Sequence, residues 1–178
     1  LDSLNSNQAI GLGTLENATT AQITTSNGEN FGLDGYVTRS KQYFKFKQQN
    51  TLALIDIDNN DFTLDEARNY LIRVIPELSQ TAMLLRHSSS SNVIRADYSD
   101  YTEKAKIHCY ILINDALAIT ALKDRLNFAG WLDGAGHYEK SVAGSLLERN
   151  FFDTAVFSPE RLIFESQPVV GDGLTYLQ

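Results

Sequence analysis

The pattern of apolar and polar residues along the chain predicts a mixture of strands and helices. Two continuous apolar runs, residues 52–57 (LALIDI) and 107–113 (IHCYILI), are the strongest strand signals. Runs of this length suit a buried strand and are too short for an ordinary globular helix. The second run is also rich in β-branched and aromatic residues, which favour strands. Weaker strand signals lie at residues 9–12, 43–47, 81–85, 137–141, 152–157 and 162–164.

Two helices are predicted among these strands. Thr63 and Glu66 have the spacing of a capping box, and Pro76 fits just past the end of that helix. Asp115 predicts the cap of a second helix that runs to about Phe128. The expected apolar stripes are Leu64, Ala67, Leu71 and Val74 in the first helix, and Leu117, Ala121, Leu122 and Leu126 in the second.

This order of elements predicts the α+β class, as an α/β sandwich in which helices cover a mixed or mostly antiparallel sheet. Residues 1–35 are rich in Asn, Ser, Thr and Gly and are expected to form a partly ordered lead-in. Residues 36–178 show no internal repeat and no clear break, so we expect them to form one domain.

Length and composition narrow the protein class. A chain of 178 residues can bury a core without disulfides or structural metal. The single cysteine, Cys109, excludes an internal disulfide and indicates a reducing compartment. Without a signal peptide or an apolar run of about 20 residues, we expect a cytoplasmic protein with no membrane partner. Because the first residue is Leu1 rather than Met, we expect a fragment of a longer polypeptide.

The formal net charge of −7 argues against a protein that coats DNA, because phosphate binding is driven by Lys and Arg. It is compatible with an enzyme that holds a short stretch of nucleic acid in a local basic groove. Carboxylates that bind metal would also add negative charge, which the bound cations would offset.

Asp56 and Asp58 form the sharpest local feature of the sequence. Residues two apart in a strand point to the same face, so these carboxylates project side by side while Ile55 and Ile57 enter the core. Two carboxylates this close repel each other unless a cation lies between them, and hard oxygen ligands suit Mg²⁺ or Mn²⁺. The alternative is two solvated aspartates that open a turn, and the spacing alone supports both interpretations equally.

Three further features bear on chemistry. His108 shares a strand face with Tyr110, and a lone strand histidine is more often structural than catalytic. The serine run at residues 88–91 offers donors for phosphate, although the spacing alone favours a flexible loop. Asp153 follows two aromatic residues at the edge of an apolar segment, where it is either a third metal ligand or a turn residue.

Taken in order, these motifs resemble the archaeo-eukaryotic primase superfamily, the primases and primase-polymerases. The shared order is a strand that ends in Asp56-x-Asp58, a serine-rich segment, a strand with His108, and the pair Phe152-Asp153. The versions found in plasmids, phages and integrated mobile elements are most similar, since their third motif runs on much like residues 149–164 (RNFFDTAVFSPERLIF). The resemblance covers roughly residues 36–174.

The resemblance implies an RRM-like catalytic sheet in residues 36–178, with flanking helices and a small N-terminal α/β unit. It implies that Asp56, Asp58 and Asp153 bind two divalent ions, Mg²⁺ or Mn²⁺, and that His108 contacts the phosphates of the incoming nucleotide. The superfamily has a serine two residues before this histidine, where this chain has Lys106. Either Lys106 contacts phosphate, or a serine of the 88–91 run folds back to the site. The nucleotide-binding candidates are His108, Lys106 and Ser90, with Arg149, Lys140 and Arg39 as weaker candidates for triphosphate or template contacts.

The implied function is that of a DNA primase or primase-polymerase, a nucleotidyltransferase that makes or extends primers for a mobile element in the host cytoplasm. Its partners would be a single-stranded DNA template, nucleoside triphosphates, and a helicase domain or replication protein in the longer chain. A metal-dependent nuclease or a nucleotide-sugar transferase with the same Asp-x-Asp is an alternative. A non-catalytic module that stacks single-stranded bases on Tyr43, Phe44 and Phe46 is another.

Overall fold

The computed structural model describes residues 4–5, 7–58, 62–91, 93–101 and 104–177. The strands are β1 (Ile10–Gly11), β2 (Thr14–Leu15), β3 (Gln22–Thr24), β4 (Tyr36–Thr38), β5 (Phe44–Lys45), β6 (Thr51–Ile57), β7 (Met83–His87), β8 (Val93–Arg95), β9 (Ile107–Ile113), β10 (His137–Lys140), β11 (Leu146–Arg149), β12 (Leu162–Ile163) and β13 (Leu174–Tyr176). The helices are α1 (Leu64–Val74) and α2 (Ile119–Leu132), with 3-10 turns at Pro76–Gln80, Ala116–Ala118 and Thr154–Phe157.

A three-stranded antiparallel sheet in the order β6-β9-β7 forms the centre of the fold. β9 lies in the middle, and its residues from Ile107 to Ile111 are all buried, as expected of a strand covered on both faces. The register places Asp56 opposite His108, and His108 opposite Arg86. Directly paired residues share a face, so these three polar side chains form one row across the sheet.

The other face of the sheet is apolar. Ile55 pairs with Cys109 and Ile57 pairs with Ile107, and none of these four residues has measurable exposed surface. They belong to a single buried cluster that both helices join. The residues that the helices contribute are Ala67 and Leu71 from α1, and Ile119, Leu126 and Ala129 from α2.

The first helix confirms its prediction. The side chain of Thr63 accepts a hydrogen bond from the Glu66 backbone N–H, and the Glu66 carboxylate accepts one from the Thr63 N–H, which completes the capping box. α1 ends at Val74, and Pro76 starts the following 3-10 turn.

The second helix differs from its prediction in phase and length. Asp115 does accept a hydrogen bond from the Leu117 N–H, but it caps a 3-10 turn, and α2 then continues four residues beyond Phe128 to Leu132. A 3-10 turn has about 3.0 residues per turn instead of 3.6, so a residue in this turn does not lie in line with the apolar stripe of the following α-helix. Leu117, which lies in this turn, is exposed, and so is Ala121 within α2, whereas Ile119 and Leu126 are buried.

The weaker strand predictions met mixed outcomes. The predicted strand at 81–85 is found two residues later as β7, and the one at 152–157 is wrong. There, the Asp153 side chain accepts a hydrogen bond from the Ala155 N–H and starts a 3-10 turn. Short strands do occur inside the other predicted segments, as β1, β5, β10 and β12. β2, β3, β4, β8, β11 and β13 were not predicted.

The lead-in residues are tied to the later chain by short strand pairs, because β1 pairs with β12 and β2 pairs with β5. The β3–β4 pair is parallel, and the remaining small sheets are antiparallel. This mixture of small sheets and two helices in the described residues agrees with the α+β class. Within the same residues, no helix is long and apolar enough to cross a membrane.

Candidate metal centre

Two of the predicted metal ligands are placed by the end of β6. Asp56 is the last but one residue of the strand, and Asp58 follows directly after it. Their side chains share a face because they are two residues apart, while Ile55 and Ile57 anchor the opposite face in the core. The Asp56 side chain is 17% exposed and that of Asp58 is 50% exposed, so the pair lies at the boundary between core and solvent.

The third ligand reaches the site through a backbone contact. The Asp153 N–H donates a hydrogen bond to the Asp56 carbonyl oxygen at 2.8 Å, which holds the segment after β11 against the outer edge of β6. One carboxylate oxygen from each of Asp56, Asp58 and Asp153 lies within 4.8 Å of the other two. The sequence-based grouping of these three residues is therefore confirmed as a cluster that is close enough to bind a metal ion.

The electrostatics around Asp56 show that the three-aspartate cluster has excess negative charge. Burial raises its pKa, the neighbouring His108 lowers it, and the like charges of Asp58 and Asp153 raise it again, to a value of about 6. Its Oδ1 atom is buried and accepts no hydrogen bond from the residues that the structure describes. A buried carboxylate oxygen without a donor, among two other carboxylates, fits a divalent cation, which would supply the missing positive charge.

His108 lies beside the cluster with both ring nitrogens facing carboxylates. Nε2 is 3.5 Å from Asp56 Oδ1, and Nδ1 contacts the buried carboxylate of Glu165. Burial lowers the pKa of His108, but the hydrogen bond and charge of Glu165, together with the charge of Asp56, outweigh it and raise the pKa overall. A histidine held this way can present a donor to an anion that binds next to the metal.

A polar pocket of about 410 Å³ opens next to the aspartates. Its size is in the range of small-molecule sites. Asp58, Asp153, Lys106 and Arg149 line it, so metal ligands and cationic side chains face the same space. The remaining lining residues are Asn127, Glu148, Asn150, Phe152 and Thr154. This combination suits a ligand with phosphate groups and a polar remainder.

The sequence left open whether Lys106 or a serine serves the site, and the structure separates their positions. Lys106 lines the pocket, with its Nζ 3.1 Å from Asp58 Oδ1. Ser91 folds back onto the Lys106 main chain, whose N–H donates to the Ser91 hydroxyl at 3.1 Å. Ser90 is exposed, and its hydroxyl contacts that of Ser88 at 3.2 Å. The serine run therefore supports the Lys106 backbone.

The other cationic candidates are spread out. Arg149 lines the pocket and pairs with Glu139 at 2.7 Å. Lys140 is exposed at the far end of the β10–β11 hairpin, three residue pairs from Arg149. Arg39 is exposed in the loop after β4. The structure thus brings Arg149 to the pocket and places Lys140 at the opposite end of its hairpin.

Sequence reasoning missed several residues of this region. Arg161 was not among the candidate site residues, but its Nη2 lies 3.9 Å from Asp153 Oδ2. Glu165 was not singled out, although alternation along the segment LIFE places it on the same face as the buried Ile163. An isolated acidic residue at an inward-facing position of an apolar segment was the signal that could have found it.

Asn150 fixes the approach of Asp153 to the cluster. Its Nδ2 donates to the Asn127 carbonyl oxygen at 3.1 Å and to the Asn127 side-chain oxygen at 2.8 Å. Its Oδ1 accepts from the Phe151 N–H at 2.9 Å. The side chain packs directly on Gly130 of α2, where an added Cβ would lie 1.9 Å from Asn150 Oδ1. Gly130 is therefore required for this contact.

Comparison with protein-family models, with curated proteins and with solved structures found no match.

Asp56→Asn should stabilise the metal-free protein at about pH 7.5 by up to about 3 kcal/mol, because the pKa of this carboxyl is raised from 3.8 to about 6. A raised carboxyl pKa means that the folded state binds the proton more tightly than the unfolded state. The loss of stability caused by ionised Asp56 is therefore complete above about pH 6 and disappears below about pH 4. Urea denaturation in EDTA at both ends of this range measures the gain. Asp172→Asn, at an exposed aspartate, is the control. A destabilised Asp56→Asn at neutral pH would contradict the electrostatic account.

Gly130→Ala should displace the Asn150 side chain and with it the segment that carries Asp153. We expect a loss of about 1–3 kcal/mol in the free energy of unfolding, the usual cost of overpacking. We also expect weaker Mn²⁺ binding by titration calorimetry. Gly171→Ala is the matched control, because an added Cβ there meets nothing within 4 Å. Equal behaviour of the two variants would show that Asn150 has room to move.

Proposed function

We propose that this chain is the catalytic domain of a primase or primase-polymerase of the archaeo-eukaryotic primase superfamily. The proposed reaction is template-directed nucleotidyl transfer with two divalent ions. The observation that carries the proposal is the convergence of Asp56, Asp58 and Asp153 within 4.8 Å, with His108 paired to Asp56 in the sheet register. These are the motif residues that the resemblance implied, and they come from three separate parts of the chain.

The order of elements also supports the proposal. Apart from β8, which pairs with β13 in a separate sheet, the chain from β6 to α2 runs strand, helix, strand, strand, helix, and β9 lies between β6 and β7 in the sheet. The first five elements of a split β-α-β fold have the same order, so this order supports the proposed RRM-like sheet. The segment with Asp153 then lies along the free edge of β6, where such a fold has its fourth strand.

Each site residue has a distinct task in the proposed reaction. Asp56, Asp58 and Asp153 would hold the ions, and Lys106 and Arg149 would bind the triphosphate in the pocket. The raised pKa of His108 favours the doubly protonated ring, whose Nε2–H can donate to a phosphate oxygen while Nδ1–H faces Glu165. When bound, the two ions would lower the pKa of the attacking 3′-hydroxyl and neutralise the charge of the departing pyrophosphate. These residues would hold the nucleotide in position and would already be in place to stabilise the charge that develops in the transition state.

A primer-synthesis assay on single-stranded DNA tests this function. Wild-type protein is supplied with ribo- or deoxyribonucleoside triphosphates and with Mg²⁺ or Mn²⁺. Asp56→Asn, Asp58→Asn and Asp153→Asn should each reduce product formation by at least about a hundredfold, because each removes a metal ligand. Asp172→Asn, far along the chain in an exposed position, should match the wild type.

The same reagents separate the alternatives. A nuclease would degrade a labelled oligonucleotide without any triphosphate, and a nucleotide-sugar transferase would bind nucleotide sugars and ignore the template. A non-catalytic module would bind single strands equally well with metal or with EDTA. Wild-type rates of primer formation by Asp56→Asn would overturn the proposal.

Lys106→Ala should raise the KM for nucleotide by about tenfold and change kcat less, because Lys106 provides charge to a bound phosphate without holding metal. Steady-state extension kinetics at varied nucleotide concentration measure this difference. Lys123→Ala, on α2 beside Asp124, is the matched control and should leave KM unchanged. A kcat defect without a KM change would indicate that Lys106 acts through Asp58 instead.

A further inference from the structure

Glu165 is a buried charge that the site described so far does not use. It lies two residues beyond β12, and its side chain is 0% exposed. Taking a carboxylate fully out of water costs several kcal/mol, so such a residue needs partners that compensate for the loss of hydration. The identity of those partners indicates what the residue does.

The described partners of Glu165 lie on one face of the central sheet, the face that carries His108. Its Oε1 accepts a hydrogen bond from the Tyr110 hydroxyl and also contacts His108 Nδ1. Its Oε2 is 3.4 Å from Arg86 Nε. His108 and Tyr110 are two residues apart on β9, and Arg86 is paired with His108 in the register. Glu165 therefore covers this face of the sheet directly behind the histidine of the candidate metal centre.

The chemistry of this contact fixes the proton on one ring nitrogen. An ionised carboxylate can only accept hydrogen bonds, so its contact with Nδ1 requires a proton on Nδ1. The Tyr110 hydroxyl donates to the same oxygen and holds the carboxylate in this orientation. With Nδ1 turned inward, Nε2 points to the other side, where Asp56 Oδ1 lies 3.5 Å away.

We propose that Glu165 is a positioning residue whose carboxylate holds the His108 ring with Nδ1 protonated and turned into the core, so that Nε2 is presented to the phosphates of the substrate. The identity of the group that meets Nε2 rests on the proposed function. The orientation of the His108 ring and the position of its proton do not depend on the proposed function. Carboxylates that orient histidines in this way commonly alter affinity or activity by tenfold or more when removed.

Nuclear magnetic resonance of the histidine side chains tests the orientation directly. Two-bond ¹H–¹⁵N correlations distinguish a protonated Nδ1 from a neutral ring that carries its proton on Nε2. The chain has three histidines, and the His108 signals are assigned by their loss in His108→Gln. We expect a protonated Nδ1 on His108 in the wild-type chain, with and without Mg²⁺. A neutral ring protonated only on Nε2 would overturn the proposal, whatever the variants show.

Two substitutions of Glu165 test its contact with His108 Nδ1. Glu165→Gln keeps a neutral acceptor oxygen of the same shape and should shift the Nδ1 signal while retaining its proton. Glu165→Leu removes the acceptor and should give a mixture of ring forms. Glu160→Gln, the same change five residues earlier in a partly buried position, is the matched control and should leave the His108 signals in place. Should Glu165→Leu fail to fold, an unshifted Nδ1 signal in Glu165→Gln would still contradict the proposal.

Kinetics then link the contact to the reaction. Glu165→Gln should raise the KM for nucleotide by about tenfold while its Mn²⁺ affinity stays within about twofold of wild type, because Glu165 holds no metal. His108→Gln and the double variant should show the same KM as each other, since Glu165 acts through His108. Further loss in the double variant would assign Glu165 a separate role. If no primers form but the Nδ1 signal responds to Glu165, the positioning role stands and the proposed function fails.

Discussion

The register of the central sheet is the constraint on which the site depends. Pairing β6 with β9 places Asp56 opposite His108, and pairing β7 with β9 places Arg86 opposite His108. A shift of β6 by one residue would turn Asp56 into the apolar core and bring Ile55 or Ile57 to the polar face. The buried isoleucines of β6 and β9 fix the register, because their burial is lost in any odd shift. The apolar face thereby determines the geometry of the polar face.

Charge is distributed over the polar face in an alternating way. Three carboxylates gather at the end of β6, His108 follows, and Glu165 with Arg86 lies behind it. The cluster at the front has an excess of negative charge, and the raised pKa of Asp56 is the sign of that excess. Behind His108, positive and negative groups are more evenly matched. Burial raises the pKa of Glu165, but the hydrogen bonds from His108 and Tyr110 and the charges of His108 and Arg86 outweigh it and lower the pKa overall. The excess negative charge at the front therefore suits a cation, whereas the charge of Glu165 at the rear is balanced by His108 and Arg86.

The segment from β11 to β12 joins these two regions. It carries Asp153, which its backbone N–H holds against β6, and it ends near Glu165 behind the sheet. Asn150 and Gly130 set the start of the segment against α2. One stretch of chain therefore supplies a front ligand and the rear support of the histidine.

The sequence alone determined the local elements. The capping box of α1, the strands β6 and β9, and the shared face of Asp56 and Asp58 depend on neighbours within a few residues, whose preferences act without the rest of the fold. The motif order was enough to group Asp153 with them. Only the tertiary structure decided that Asp153 starts a 3-10 turn instead of lying in a strand, that a 3-10 turn precedes α2, and that Lys106 reaches the pocket while Ser90 does not. It alone showed Glu165 behind His108, because contacts between distant segments depend on register and packing energy, and no local pattern carries them.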